Sequence, residues 1–148
     1  MVTADDAERC VADEGSSEVA ETRAVALGVG GSAAFRAFQD GEETEIVRGF
    51  QGGYMITPTV RVEAMGDSRD EVCLHVLLEN ALMEGGDVGP GMLAQVMFMR
   101  SGDFFYVDSI YDLLGYDLDP LEGKTLLLSA AVSGVGFGGT HAVTLRLK

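Results

Sequence analysis

Two cysteines and two histidines are the residues best suited to catalysis or metal binding in this chain of 148 residues. Cys73 and His75 lie two positions apart in a segment with strand-like alternation, so they share one face and could reach one metal ion. A third ligand would have to be His141 or a distant acid. Because such residues share a face easily by chance, the pattern favours a half-buried strand residue at His75 and a surface residue at His141.

Nucleophilic catalysis would need a serine or a cysteine beside a base. His75 and His141 could each serve as the base, but no Gly-x-Ser-x-Gly elbow is present, since Ser133 has no glycine two positions before it. Cys10 and Cys73 have no Cys-x-x-Cys spacing and do not suit a catalytic thiol. The sequence therefore predicts that the protein is not an enzyme, and a small hydrolase-like enzyme using His75 or His141 is the alternative.

Cys10 and Cys73 are instead candidates for a disulfide. A bridge between them is expected if the protein is exported to an oxidising compartment, and it is not expected in a reducing cytosol. The alternative for Cys73 is a small buried apolar residue. Cys10 is a poor candidate for lipid attachment, because Glu8 and Arg9 stand where small and apolar residues would be expected.

Acidic residues are crowded in one part of the sequence, and oxygen-rich loops of this kind can hold calcium. The calcium candidates are Asp103, Asp108, Asp112, Asp117 and Asp119. The regular ligand spacing of an EF-hand loop is absent, because the Asp-x-Asp pattern stops at Pro120. The pattern favours a solvated acidic rim, and no cofactor is predicted.

The overall composition excludes several classes of partner. Asp plus Glu number 24 against 10 Lys plus Arg, and the net charge of -14 repels phosphate backbones, so nucleic acid is not an expected partner. No apolar run reaches the ~18 residues that a membrane-spanning helix needs. With 47% apolar and 23% charged residues, the chain has the composition of one globular domain.

The order of the segments predicts an acidic tail followed by one β domain. Residues 1–23 lack apolar periodicity and predict a flexible acidic N-terminal segment, whose charges also interrupt any secretory leader. Residues 24–148 contain short alternating runs separated by Gly, Asp and Pro. Strands are predicted at 24–30, 33–38, 45–48, 54–64, 71–80, 92–100, 104–110, 125–135 and 141–148. For 92–100 a helix is the alternative by composition, and the absence of a cap and the Ser-Gly-Asp that follows favour a strand.

This pattern predicts an all-β fold, an antiparallel Ig-like β-sandwich of seven to nine short strands. Pro58 places the strand at 54–64 on an edge or at a bulge, because proline cannot donate to a ladder. Residues 112–124 predict a loop, with a helical turn at 111–114 as an option.

A glycine-rich motif precedes the strand at 54–64. It consists of Gly49, Gln51, Gly52, Gly53 and Tyr54, with Phe50 between the first two. Glycines at these positions permit positive φ and close approach of chains, so the motif predicts a structural turn. A phosphate-binding loop is not favoured, because neither a helix start nor a lysine follows.

Residues 31–64 resemble the opening of a group of myxobacterial and related δ-proteobacterial envelope proteins, often lipoproteins. The resemblance is carried by Phe35, the Asp40-Gly41 turn, the strand at 45–48 and the motif at 49–54. Phe50 replaces the usual proline of that group, and Met55 stands where a histidine is often found, so no role of that histidine is carried over. Residues 121–148 are also similar to the last hairpin of Ig-like domains.

The resemblance implies an envelope or extracellular location, with a lipid anchor possible upstream; the cytoplasm is the alternative. The expected function is a non-catalytic envelope or secreted binding or structural module, acting through loops at one end of the sandwich or through an edge strand. Its expected partner is a protein or a cell-surface component. A calcium-stabilised adhesion domain is a further alternative. The sequence does not indicate an oligomeric state.

Overall fold

The computed structural model describes Cys10, residues 21–49 and residues 51–148, and the regular structure in this part of the chain is β throughout. The strands are β1 Glu21–Thr22, β2 Val25–Val29, β3 Arg36–Ala37, β4 Glu42–Thr44, β5 Val47–Arg48, β6 Tyr54–Ile56, β7 Thr59–Glu63, β8 Glu71–Leu82, β9 Met92–Ser101, β10 Phe104–Val107, β11 Asp112–Gly115, β12 Thr125–Gly134 and β13 Phe137–Leu147. The prediction of an all-β fold is therefore confirmed.

The long strands form where apolar residues recur at every second position. In β8, Val72, Leu74, Val76 and Leu78 are buried, while the residues between them are only half buried. Since successive side chains of a strand point to opposite faces, this period places one face of β8 on the core. The strands β12 and β13 show the same alternation.

Most strands join one large sheet, in the order β1-β13-β12-β8-β9-β10-β7-β2-β3, with β4 also paired to β13. Its pairs are antiparallel, except that β1 and β4 run parallel to β13. The sheet folds over its own core in a sandwich-like arrangement, which returns β2 to the side of β13. There the Leu27 N–H donates to His141 Nδ1 at 3.0 Å.

A second, three-stranded sheet has the order β11-β6-β5. Its inner side packs on the same core, where Ile56 and Leu114 are buried. Pro58 lies between β6 of this sheet and β7 of the large sheet, and β7 is an interior strand between β10 and β2. The proline thus marks a change of sheet, where no ladder bond is required of it, and the predicted single strand over 54–64 is two strands.

Arg61 of β7 holds together an aromatic cluster on the side of the large sheet that faces away from the core. Its guanidinium carbon lies 4.3 Å from the ring centre of Phe35 and 4.1 Å from that of Phe104. A cation between two ring faces is attracted by both. Phe35, in the connection between β2 and β3, is thereby held against the large sheet.

The number of strands differs from the expected seven to nine. Among the thirteen strands of the described residues, β1, β3, β4, β5 and β6 have only two or three residues. Of these, β3, β5 and β6 lie inside the predicted strands at 33–38, 45–48 and 54–64, whereas β1 and β4 were not predicted. Residues 112–115, expected to be a loop or helical turn, form β11. The large sheet is mixed, not purely antiparallel.

The predicted tail falls mostly outside the described residues, since 1–9 and 11–20 are not among them. The described part begins to pair before residue 24. Glu21 and Thr22 form β1 beside β13, and Arg23 is buried with its guanidinium carbon 3.8 Å from the ring centre of Phe137.

Candidate functional site

Exposed apolar side chains are concentrated on the small sheet. Four of the nine large apolar residues exposed in the described part of the chain lie on it or beside it: Val47, Tyr111, Leu113 and Tyr116. Val47 of β5, Met55 of β6 and Leu113 of β11 are direct cross-strand partners, so they form one row across all three strands. We call this surface, made of Val47, Met55, Tyr111, Leu113 and Tyr116, the tyrosine face.

The glycine motif builds this face. A Cβ at Gly53 would stand 2.6 Å from Leu113 Cδ1 and 3.4 Å from Tyr116 Cε1, and a Cβ at Gly49 would collide with Met55 Cε. The two glycines thus leave the space that these three side chains occupy above the hairpin. Leu113 and Tyr116 are about sixty residues further along the chain, and the absence of a glycine side chain is what lets them reach the turn.

The other motif residues complete the hairpin between β5 and β6. The Gly49 N–H donates to the Gly53 carbonyl at 2.7 Å, and Gly52 has a φ of 79°, a conformation that favours glycine. Gln51 is exposed near the tip, and Tyr54 begins β6 and packs partly against the core. The motif is a turn, and the side chains that could contact another molecule here are those that lie over it.

Exposed acidic side chains precede β5 and follow β11 along the chain. Glu45 comes two residues before Val47, and Asp117 and Asp119 follow Tyr116; all three acids are exposed. None of the three takes part in an ion pair within the described residues. The hairpin from 47 to 56 contains a single cation, Arg48. Exposed acids and exposed cations (Arg48, and Lys148 whose carbonyl accepts the Ile46 N–H) thus both lie close in the chain or by backbone pairing to the apolar row.

A buried polar pair lies behind the face. Asp112, the neighbour of Leu113 in β11, is completely buried, and Asn80 Nδ2 of β8 donates to its Oδ1 at 2.7 Å. The same amide nitrogen donates to the Gly89 carbonyl at 3.2 Å, and the Gly89 N–H donates to the Leu114 carbonyl at 2.7 Å. The pair thus connects β8, the segment around Gly89 and β11.

Burial raises the pKa of Asp112 to about 6, although the hydrogen bond from Asn80 acts in the opposite direction. Asp112 Oδ2 and Asn80 Oδ1 have no hydrogen-bond partner among the described residues. A protonated carboxyl and an amide can pair through two hydrogen bonds, one from the amide N–H to a carboxyl oxygen and one from the carboxyl O–H to the amide oxygen. Asp112 Oδ2 and Asn80 Oδ1 are the two atoms of the second bond. The protonated form of Asp112 can therefore satisfy both atoms, whereas the ionised form leaves two buried acceptors without a donor.

The structure does not gather the five calcium candidates at one place. Asp103 and Asp108 lie at opposite ends of β10, about 16 Å apart at the rise of an extended strand. Asp108 Oδ1 accepts from the Ser32 N–H at 2.9 Å, Asp112 is buried with Asn80, and Asp117 and Asp119 are exposed after β11. Within the described ranges, no group of three or more His, Cys, Asp or Glu residues is placed to hold a metal ion.

Cys10 and Cys73 form a disulfide, with their Cα atoms 5.8 Å apart. The Cys73 sulfur is therefore not a free thiolate that could bind a metal together with His75. His75 stands opposite Ser133 of β12 and Gln95 of β9. It lines an open cleft of about 480 Å³.

His141 has a structural role that its sequence position did not predict. It was expected at the surface, but it is half buried and its Nδ1 accepts the Leu27 N–H. Burial lowers its pKa, while Asp40 acts in the opposite direction. Its β13 is separated from His75 on β8 by the whole of β12. The two histidines do not form one site.

The tyrosine face was missed in the sequence because its residues come from three short strands. The available signal was the apolar Leu113 and Tyr116 beside polar residues, in a segment that was expected to be a loop.

Among the described residues we find no apolar helix long enough to cross a bilayer. Comparison with family models, with curated proteins and with solved structures finds no match for this chain. Its function is therefore inferred from its own geometry.

Proposed function

We propose that this chain is a non-catalytic, exported binding module that contacts a protein or another cell-surface component through the tyrosine face. One observation carries the proposal: Val47, Met55 and Leu113 form an in-register row on the outer side of the small sheet, and Tyr111 and Tyr116 flank it. Contiguous exposed apolar surface with a polar rim is typical of interaction sites. Tyrosine is also enriched at such sites, because its ring is apolar and its hydroxyl can remain hydrated.

The location outside the cytoplasm is supported by the disulfide between Cys10 and Cys73. Disulfides of this structural kind persist in oxidising compartments and are rare in the cytosol. The envelope setting itself rests on the resemblance of residues 31–64. An Ig-like relationship is part of the same proposal and is supported by the antiparallel hairpin of β12 and β13.

The proposed contact surface is the outer side of the small sheet, which differs from both expected modes of contact, loops at one end of the sandwich and an edge strand. The edge strands β1, β3 and β5 have two residues each, β4 has three and β11 has four. An added strand would form few main-chain hydrogen bonds on such short edges. The tyrosine face instead presents five side chains around the hairpin at 49–53.

Site-specific crosslinking in the native host tests this proposal. A photoreactive phenylalanine analogue replaces Tyr116, and in a control protein it replaces Met83, which is exposed in a turn to a similar extent (63% and 60%). We expect a crosslinked partner from position 116 only, and we expect Leu113→Asp to remove it. Equal crosslinking from both positions, or none from position 116, contradicts the proposal.

A further inference from the structure

We infer that His141 is an acid-sensitive switch whose protonation separates β2 from β13 locally, while the rest of the large sheet stays folded. The switch lies where this sheet closes on itself and brings β2 beside β13. It uses no residue of the tyrosine face, so it goes beyond the proposed function.

A side chain joins β2 to β13 where the two strands share no ladder. Along this edge, β13 pairs with β1 at Phe137 and Gly138 and with β4 at Leu145–Leu147. Between these two short ladders, the Leu27 N–H of β2 donates to His141 Nδ1 of β13 at 3.0 Å. We call this contact between Leu27 and His141 the β2–β13 contact.

His141 occupies a position of β13 where the alternation calls for an apolar core residue. Val143 and Leu145 follow it on the inward side of the strand and are buried, whereas His141 is half buried. Leu27 is completely buried, and its carbonyl already accepts the Phe38 N–H at 2.9 Å. Its own N–H needs a protein acceptor, because a buried backbone donor is costly to leave unpaired. The imidazole supplies that acceptor.

Protonation removes the acceptor. Nδ1 can accept the Leu27 N–H only while it carries no proton, so the ring proton of neutral His141 lies on Nε2 in this contact. The imidazolium form has an N–H at both nitrogens, and two donors would then face each other. When the strands separate, both donors can bond to water. Acid therefore favours the open form of the β2–β13 contact.

The groups around His141 determine how strongly it resists protonation. β2 and β12, the strands packed against it, contain no titratable side chain. The turn before β4 brings Asp40, whose Oδ1 accepts the Thr144 N–H at 3.0 Å and whose charge favours imidazolium. Burial has the larger effect and lowers the pKa of His141.

Other charged groups on the elements along this edge of β13 have nearby counter-charges or are exposed. Arg146 of β13 is exposed. The acids of β1 and β4 are in ion pairs: Glu21 with Arg23, Glu42 with Arg36, and Glu43 with Lys148. Arg23, which precedes β2, also lies 3.6 Å from Asp67. Of these elements, the turn with Asp40 supplies the charge that acts on His141.

Opening the β2–β13 contact breaks no ladder. β2 keeps its pairs with β7 from Val25 to Gly28, and β13 keeps its ladder with residues 125–134 of β12. The chain before β2 stays attached to β13, because the Arg23 N–H donates to the Gly138 carbonyl at 3.0 Å. Separation is therefore a local opening, which requires less free energy than unfolding of the whole domain.

Amide hydrogen exchange measured by NMR tests the switch on the full chain with its disulfide intact. Exchange rates at pH 7.5 and 5.5 are corrected for their intrinsic pH dependence. The Leu27 amide reports the contact, and the amide of Leu128, buried in the interior strand β12, reports global unfolding. His141 in the open form has the ordinary histidine pKa of 6.5, which limits the rise of the opening constant over this interval to about tenfold. We expect the protection of Leu27 to fall by about three- to tenfold relative to that of Leu128.

Two variants identify the titrating group. His141→Asn places an amide oxygen at the position of Nδ1, and this oxygen can accept the Leu27 N–H throughout the pH range. Its relative Leu27 protection should not change with pH. His75→Asn is the matched control, because it removes the other histidine of the chain, and it should keep the pH dependence of the parent.

A measurement on the parent protein does not depend on the folding of any variant. The nitrogen NMR signals of the His141 ring should show an unprotonated Nδ1 and a protonated Nε2 at pH 7.5.

Three results overturn the inference. The first is a relative Leu27 protection that stays constant between pH 7.5 and 5.5 in the parent. The second is the same loss of protection in His141→Asn as in the parent. The third is a proton on Nδ1 of neutral His141. None of these results bears on the proposed function, which the crosslink at position 116 tests.

Discussion

Replacing Asp112 with asparagine should stabilise the protein at neutral pH and leave it almost unchanged near pH 4. The carboxyl is completely buried and its pKa is raised from 3.8 to about 6. At neutral pH it is ionised in the folded protein, and its Oδ2 and the Asn80 Oδ1 both lack a donor. An asparagine can donate to Asn80 Oδ1 and accept from Asn80 Nδ2 at every pH, with nearly the same volume.

The size of this stabilisation follows from the pKa of Asp112 in the folded protein and its pKa in the unfolded chain. The folded protein binds the Asp112 proton more tightly than the unfolded chain does, so its contribution to stability is fully present below pH 3.8 and is lost as the pH rises to about 6. A difference of about two pKa units corresponds to about 3 kcal/mol. The free energy of unfolding of Asp112→Asn should thus exceed that of the parent by about this amount at pH 7 and by little at pH 4.

Chemical denaturation at several pH values between 4 and 8 measures this difference. The parent protein alone is not sufficient, because His141 acts in the opposite sense: its pKa is lowered by burial, so stability is lost as pH falls below about 6.5. Subtracting the parent curve from the Asp112→Asn curve removes the histidine contribution, since both proteins contain it. Asp112→Ala serves as the control, because it removes the carboxyl and leaves Asn80 Nδ2 only the Gly89 carbonyl as a hydrogen-bond acceptor.

A difference between the two proteins that stays constant from pH 4 to pH 8 would refute this reasoning. It would mean that the carboxyl has an ordinary pKa in the folded protein. A carbon NMR titration of Asp112 provides an independent check, because it should show a midpoint near 6.

Three further predictions concern stability. Cys73→Ser should lower the free energy of unfolding by about 4 kcal/mol in the chain-entropy model, because the disulfide closes a loop of 63 residues. The unfolding curves of this variant, measured with and without reductant, should agree. Gly91→Ala should cost more than 3 kcal/mol, because its Cβ would collide with the Leu78 carbonyl, whereas Gly41→Ala, with a similar φ and open space, should cost about 1 kcal/mol. Arg61→Met should cost about 1–2 kcal/mol through loss of its two ring contacts, and equal melting temperatures for it and the parent would contradict that role.

The long strands could be predicted because their burial follows the two-residue period. β8, β9, β12 and β13 each have a core face made of alternate apolar residues, and the sequence places all four within a few residues of their observed ends. Of the two-residue strands, β3 and β5 lie inside the predicted strands at 33–38 and 45–48, whereas β1 could not be predicted in this way. β1 exists because β13 offers it backbone partners, and that information lies more than a hundred residues away.

β11 was missed for a reason that also concerns function. Its inward positions are Asp112 and Leu114, and its outward positions are Leu113 and the preceding Tyr111. The run therefore has an acid where a core strand has an apolar residue, and apolar residues where a surface strand has polar ones. This sequence predicts a loop, because neither face of the segment follows the alternation of buried apolar and exposed polar residues that is expected of a strand.

The two departures in β11 have different physical explanations. The outward Leu113 does not add to the core, and the contact with a partner proposed above would account for its exposure. The inward Asp112 lowers stability at neutral pH, although an asparagine would provide the same hydrogen bonds without that cost. Stability alone therefore does not explain either residue. The two residues are adjacent in one short strand, with Asp112 facing the core and Leu113 facing the tyrosine face.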